Sequence, residues 1–185
     1  MCDSFIDNFE TDLGWIVDPD ETDTATSGRW ERAIASYSYT SDGTMYQRPA
    51  RDGGHTLVTG ATTGQGIDSN DLDGLTTIRS PEIVISPSAQ SATLQFDWYL
   101  AHTAASSNAD SLTVRLYNAD SEMQFSLTGA PKDKPAKWRT TMFDLSDYAG
   151  ETVQIEIVAA DADDDSIVEA AISNLQLNVS CQIDD

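Results

Sequence analysis

Apolar and polar residues alternate with a period of two through much of the chain. Leu94, Phe96, Trp98 and Leu100 interleave with Gln95, Asp97, Tyr99 and Ala101, and Leu112, Val114 and Leu116 interleave with Thr113, Arg115 and Tyr117. Val153, Ile155 and Ile157 alternate with Gln154 and Glu156, and Leu175, Leu177 and Val179 with Gln176 and Asn178. Successive side chains of a strand point to opposite faces, so each run is the signature of a half-buried strand. Leu57-Val58-Thr59-Gly60 predicts one more strand. Turn signals separate the runs: Asp42-Gly43, Asp52-Gly53-Gly54, Asp73-Gly74, Ser80-Pro81, Asn118-Ala119-Asp120 and Ala149-Gly150. No long amphipathic helix is present in the pattern, and Ser146-Asp147-Tyr148 predicts a short helical turn before Gly150. Many short strands with turn-rich links predict an all-β jelly-roll β-sandwich of two antiparallel sheets, in one domain over residues 1–185.

The same alternation assigns faces. If Leu94, Phe96, Trp98 and Leu100 point inward, Asp97 and Tyr99 point out, as do Arg115, Tyr117 and Glu156. Aromatic rings beside carboxylates and guanidinium groups suit sugar recognition, because rings stack on the apolar faces of pyranoses while polar groups take the hydroxyls. Asp97, Tyr99, Arg115, Tyr117 and Glu156 are therefore candidate ligand-binding residues. The plainer alternative is a polar sheet face with cross-strand pairs such as Asp97 with Arg115.

Charge narrows the partners. The chain holds 31 acids against 10 bases, a formal net charge of −21. Nucleic acid is excluded as a natural partner, since phosphate binding needs a basic footprint. Such a charge also resists self-association and predicts a monomer suited to salty or calcium-containing surroundings. No run is apolar and long enough to span a membrane. Cys2 and Cys181 lie near opposite ends. In a sandwich the first and last strands are often neighbours, which leaves two alternatives: a disulfide, or two unpaired thiols. If the protein is secreted, its signal lies outside these residues.

The acids are unevenly placed. Glu10, Asp12, Asp18, Asp20, Glu21 and Asp23 crowd the span before Gly28, and Trp15 and Trp30 bracket its acidic turn. Apolar anchors around it predict an ordered loop, whose carboxylates must be separated, hydrogen-bonded or neutralised by a cation. Asp18 and Asp20 alternate as in a calcium loop, without the Gly and terminal Glu of an EF-hand. Asp68, Asp71 and Asp73 form another acidic group, and Asp161, Asp163, Asp164 and Asp165 a further one; in so acidic a chain such groups are as a rule solvated turns. Glu169 stands inside the apolar run Ile167 to Ile172 and needs a partner, with Arg29, Arg79, Arg115 and Trp30 as candidates.

The segments Phe9-Glu10-Thr11-Asp12-Leu13-Gly14-Trp15, Asp23 to Arg32, Thr77-Ile78-Arg79-Ser80-Pro81, Trp98-Tyr99-Leu100-Ala101-His102 and Tyr148-Ala149-Gly150 carry a family resemblance. With Leu57 to Gly60, Ala159 to Asp161 and Val168 to Ala171, they resemble the β-sandwich accessory domain at the C-terminal end of secreted bacterial zinc carboxypeptidases and related hydrolases. The Phe9-Glu10 pair is also similar to carbohydrate-binding jelly rolls, in which this Glu and an acid before the last strand hold a structural calcium. That resemblance implies calcium held by Glu10 and Asn174 with main-chain carbonyls, Asn174 standing where the pattern more often has Asp. It implies a non-catalytic, calcium-stabilised accessory or binding module, secreted or extracellular. The implied partners are a carbohydrate or cell-surface polymer, or a covalently linked hydrolase domain.

Catalytic signals are sparse. HExxH and GxSxG are absent, and neither cysteine has a histidine beside it in sequence. With 31 acids, carboxylate spacing has no diagnostic power for glycoside hydrolysis. The enzymatic alternative is a jelly-roll polysaccharide lyase or hydrolase using His102, Tyr99 and an Arg. A structural or adhesive extracellular domain is a third reading. Lys132, Lys134, Lys137 and Arg139 form a basic stretch, read as a solvated loop or as a docking patch for an acidic polymer or a partner domain.

Overall fold

The alternating runs become the strands of two stacked antiparallel sheets. The structure is a computed structural model that describes residues 2–62, 67, 70–117, 123–163 and 166–181. In chain order the strands are β1 (Phe5–Asp7), β2 (Ile16–Val17), β3 (Trp30–Ala33), β4 (Ser38–Tyr39), β5 (Met45–Gln47), β6 (Thr56–Thr59) and β7 (Gly74–Arg79). They continue as β8 (Ile83–Val84), β9 (Ala89–His102), β10 (Ser111–Tyr117), β11 (Met123–Thr128), β12 (Arg139–Asp144), β13 (Thr152–Asp161) and β14 (Val168–Cys181). The Ser146–Tyr148 segment is a single 3-10 turn, as the sequence predicts, and Gly150 follows it at φ +94.

One sheet runs β12-β9-β14-β6-β3, with β1 also on β14; the other runs β11-β10-β13-β7-β2, with β8 on β13. A small hairpin, β4-β5, stands apart. This is the predicted jelly-roll sandwich. Between the sheets lie the residues that the pattern points inward. Leu94, Phe96 and Leu100 of β9, Leu112, Val114 and Leu116 of β10, Ile155 and Ile157 of β13, and Leu175 and Leu177 of β14 are all buried. Removing this apolar area from water is the main force holding the layers together.

The outer face of the β9–β14 sheet is also covered. Tyr99, Ala101 and Ala171 point away from the main core, yet pack with Tyr46, Val58, Trp138 and Ala136 into a second apolar cluster. Tyr99 meets Trp138 edge-on at 4.8 Å between ring centroids. The long link from β3 to β6 supplies Ala35 and Tyr46 to this cluster, and Ala61 joins from just beyond β6.

Cys2 and Cys181 form a disulfide with 5.7 Å between Cα atoms, which resolves the two alternatives for the ends. The register explains it: β1 pairs with β14 through Phe5↔Leu177 and Asp7↔Leu175, so the first strand runs beside the last. One edge of β14 is shared. It pairs with β6 up to Ile172↔Leu57 and with β1 from Leu175 onward. At the handover β14 bulges between Ser173 and Gln176, and Asn174 takes a left-handed φ of 48. No helix among the described residues is long and apolar enough to cross a membrane.

Candidate functional site

The polar face of the β10–β13–β7 sheet carries a connected charge network. Register places Glu156 of β13 between Arg79 of β7 and Arg115 of β10. Glu156 is fully buried and pairs with both guanidinium groups: Arg79 Nε donates to it at 2.9 Å and Arg115 Nε at 2.5 Å. Arg79 also forks onto Asp20, its Nη2 donating at 2.5 Å. The Arg79 guanidinium stacks on Tyr117, 3.4 Å from the ring centroid. Burial works against the Arg79 charge, but the hydrogen bonds to Asp20 and Glu156 outweigh it and hold the pKa above the usual arginine value. Beside the network lies a trough of about 270 Å³ bounded by Thr22, Thr77, Thr113 and Arg115. Arg115 is the open end of the chain of charges, its side chain 38% exposed.

The acidic turn is fastened to this sheet by hydrogen bonds. Asp18 Oδ1 accepts the N–H groups of Thr22 at 2.8 Å and Asp23 at 3.0 Å. Asp23 Oδ2 accepts the Thr77 N–H at 2.9 Å, and Asp20 pairs with Arg79. Asp18 and Asp20, candidate metal ligands in the sequence, thus have structural partners here. Asp7, which the sequence pattern does not single out, orders the preceding stretch. Its carboxylate accepts the Phe9 N–H at 2.7 Å and the Trp15 indole N–H at 2.8 Å. Its burial, two residues before a left-handed Phe9 (φ 63), becomes visible only in the fold.

The predicted ligand face needs correction. Asp97 and Tyr99 belong to the β9–β14 sheet, and Arg115, Tyr117 and Glu156 to the other, so these residues line two separate surfaces. Tyr99 is 1% exposed under the second apolar cluster and cannot stack on a sugar. Asp97 pairs with Thr140, Asn174 and Arg51 rather than Arg115. Alternation tells which residues share a face of one strand; it does not tell which sheet the strand joins. The constellation expected for a lyase is likewise not assembled, because Tyr99 and His102 point to opposite faces of β9. Glu169 pairs with none of Arg29, Arg79, Arg115 or Trp30, taking Gln47 Nε2 at 3.0 Å and Thr59 Oγ1 at 3.2 Å instead. Burial drives its pKa well above the usual carboxylate value.

Glu10 and Asn174 also have separate partners. Glu10 accepts the His55 N–H at 2.7 Å and faces His55 Nδ1 at 3.0 Å, and these bonds to His55 lower its pKa. Asn174 Nδ2 donates to Asp97 at 3.0 Å. Among the described residues no group of three His, Cys, Asp or Glu side chains is placed to hold a metal. Asp68, Asp164 and Asp165 lie outside the described residues.

A second acid pair is buried at the far end of the sandwich. Asp110 (1% exposed) accepts Ser106 Oγ and Ser107 N–H, both at 2.7 Å, and the Ala162 N–H at 3.0 Å. Burial opposes its charge, yet these bonds keep its pKa below the usual value. Burial and the Asp110 charge push Asp161 up to about 7. The sign follows directly. The unfolded chain loses the Asp161 proton near 3.8 and the folded one near 7, so stability falls as pH rises through that window. Asp161→Asn should abolish this component. Urea midpoints at pH 4.5 and 7.5 should show the variant gaining on wild type at the higher pH, and an equal difference at both would refute the assignment.

No family model matches the chain, and a search of curated proteins finds no match. Solved structures do resemble it. The K1 cleaved adhesin domain of Lys-gingipain from Porphyromonas gingivalis W83 aligns over 96% of this chain and 99% of its own, with TM-score 0.57 and 12% identity. TmCBM61 in complex with beta-1,4-galactotriose aligns over 90% of this chain and 89% of its own, with TM-score 0.51 and 8% identity. The Stig cyclase Fisc from Fischerella sp. TAU aligns over 97% of this chain and 90% of its own, with TM-score 0.51 and 18% identity. At such identities the likeness is one of fold, and this fold hosts adhesive, sugar-binding and enzymatic proteins alike.

Proposed function

We propose that the chain is a non-catalytic binding module that takes carbohydrate on the outer face of the β10–β13–β7 sheet. The observation that carries this is the Asp20–Arg79–Glu156–Arg115 network, which fixes Arg115 at an open trough that Thr22, Thr77, Thr113, Leu75 and Val158 also line, with Tyr117 held on the same network by its stack with Arg79. Preorganised donors and a fixed aromatic ring lower the ordering cost of binding. Arg79 covers one face of the Tyr117 ring, and a sugar would use the other. Fold likeness to a galactotriose-bound module supports the ligand class. Likeness to a gingipain adhesin domain supports an adhesive use of the same scaffold. Against catalysis, the close carboxylate pair Asp110–Asp161 is buried beyond reach of a substrate.

The disulfide suits an oxidising compartment, which supports export. An accessory role beside a secreted hydrolase, and calcium at the Glu10 corner through main-chain carbonyls, complete the reading. They rest on the sequence resemblance to such domains and on the left-handed turns that flank the corner, Phe9 and Asn174.

A glycan array tests this reading, run with wild type, Tyr117→Ala and Arg115→Gln, in calcium and in chelator. Losing a hydrogen bond to a charged group costs about 1.5–3 kcal/mol, so Arg115→Gln should weaken retained glycans about tenfold or more, and Tyr117→Ala should weaken them through loss of the stacking ring. Unchanged binding by both variants would remove this face as the site. A melting temperature that rises in calcium over chelator would support the metal, and an identical one would dismiss it.

A further inference from the structure

We propose a second binding site, separate from the sheet face: a basic pocket at the end of β9, walled by His102, Lys134 and Arg139, that takes an acidic sugar residue through its negative group and a ring hydroxyl.

The site is built by a main-chain clamp. His102 closes β9 and exchanges two backbone hydrogen bonds with Lys134, at 2.9 and 2.8 Å. This pins the link between β11 and β12 across the end of the sandwich. Beneath it lies a cavity of about 380 Å³, lined by His102, Thr128, Lys132, Lys134, Pro135 and Arg139, among others. That volume falls in the usual range for small-ligand pockets.

Its charge runs against the rest of the molecule. In a chain of net charge −21, Lys132, Lys134 and Arg139 gather here, and none of them makes an ion pair among the described residues. One acid, Asp133, also lines the pocket; its Oδ1 accepts the Ala104 N–H at 2.8 Å and the Tyr46 hydroxyl at 3.2 Å, and against the three cations it leaves the pocket with an excess of positive charge. Burial and the neighbouring Arg139 charge lower the Lys134 pKa, as befits crowded cations. An anion in the pocket would relieve that crowding.

A second, independent feature selects the rest of the ligand. His102 is 1% exposed, and its Nδ1 lies 3.1 Å from the Thr103 carbonyl oxygen. A carbonyl only accepts, so Nδ1 carries the proton and Nε2 is left as an acceptor. Nε2 is buried and has no hydrogen-bond partner among the described residues. Buried acceptors are nearly always satisfied, and this one asks for a donor such as a hydroxyl. An inorganic anion such as sulfate brings no hydroxyl, and a neutral sugar leaves the cations unpaired. A hydroxylated ring bearing a carboxylate or a sulfate ester meets both demands.

The test is titration calorimetry on the intact chain at about 0.15 M salt, where the Debye length of about 8 Å screens the distant acids. The probes are a hexuronate, a 6-sulfated hexose, the neutral hexose and sodium sulfate. Binding of either acidic sugar at least tenfold tighter than both the neutral hexose and sulfate supports the site, and the better of the two identifies the anionic group. Arg139→Gln and Lys134→Gln should each weaken that binding at least fivefold. His102→Phe, which removes the acceptor and puts a slightly larger apolar ring in its place, should lower affinity for the acidic sugar at a temperature where the variant is still folded by circular dichroism. Tyr117→Ala should leave it unchanged, which separates this pocket from the sheet face. Equal binding of sulfate and acidic sugar would reduce the pocket to a plain anion site and overturn the proposal. So would absence of binding, or affinities unmoved by Arg139→Gln and Lys134→Gln.

Discussion

Glu156→Ala should destabilise the fold by about 3–5 kcal/mol, the range for removing one partner of a buried ion pair. Glu156 is fully buried and Arg79 is 7% exposed, so the guanidinium left behind would keep only Asp20, on the exposed rim, as its counter-charge. The cost comes mainly from that orphaned charge rather than from the lost attraction. Replacing both partners by apolar residues, as in Glu156→Leu with Arg79→Met, should therefore recover part of the loss. Urea denaturation of the single and double variants measures the effect. A loss below about 1 kcal/mol in Glu156→Ala would mean that water reaches the site and the pair is weak. The prediction reaches function as well. Arg115 and the Arg79–Tyr117 stack are both held through Glu156, so glycan retention at the sheet face should fall with stability.

The inner layer of this fold is legible in the sequence because burial and alternation are the same signal. Leu94, Phe96, Leu112, Val114, Ile155 and Leu175 sit where a period of two puts them. What covers the outer faces is not legible in that way. Tyr99 alternates outward as expected, but Tyr46 and Trp138, remote in sequence, close over it. Their segments carry too few apolar residues to announce a core. The charge network is hidden for another reason. Asp20 and Arg79 are 59 residues apart and Arg79 and Glu156 are 77 apart, so only the strand order β10-β13-β7 brings them together. The pairing of Asp97 with Arg115 fails for the same cause, since alternation within each strand is identical whichever sheet it joins. The acidic turn is readable as ordered from its flanking apolar anchors. Asp18 Oδ1 and Asp23 Oδ2 take N–H groups and Asp20 takes Arg79, while Asp23 Oδ1 is buried without a hydrogen-bond partner among the described residues.

Removing the disulfide should be the most costly change, about 5 kcal/mol for the double variant Cys2→Ser with Cys181→Ser, from the loop-closure entropy that a cross-link spanning 179 residues takes from the unfolded chain. The geometry says where the loss begins. β1 spans only Phe5–Asp7 and pairs with β14 alone. Without the covalent tie its N-terminal side is held by three paired residues and by Ser4 Oγ, which accepts the Val179 N–H at 2.9 Å. Immediately behind it stand Asp7, with its bonds to Phe9 and Trp15, and Arg32, whose Nη1 donates to the Phe9 carbonyl at 2.9 Å. Fraying of β1 should therefore spread to the Glu10–His55 corner before the main core opens. Hydrogen exchange should rise first at residues 5–10 and at the β1-facing residues of β14, with Leu112 and Ile155 protected until global unfolding. Reductant should lower the wild-type melting temperature to that of the double variant and leave the variant itself unmoved. Equal melting of wild type with and without reductant would show that the strand pairing alone closes the sandwich.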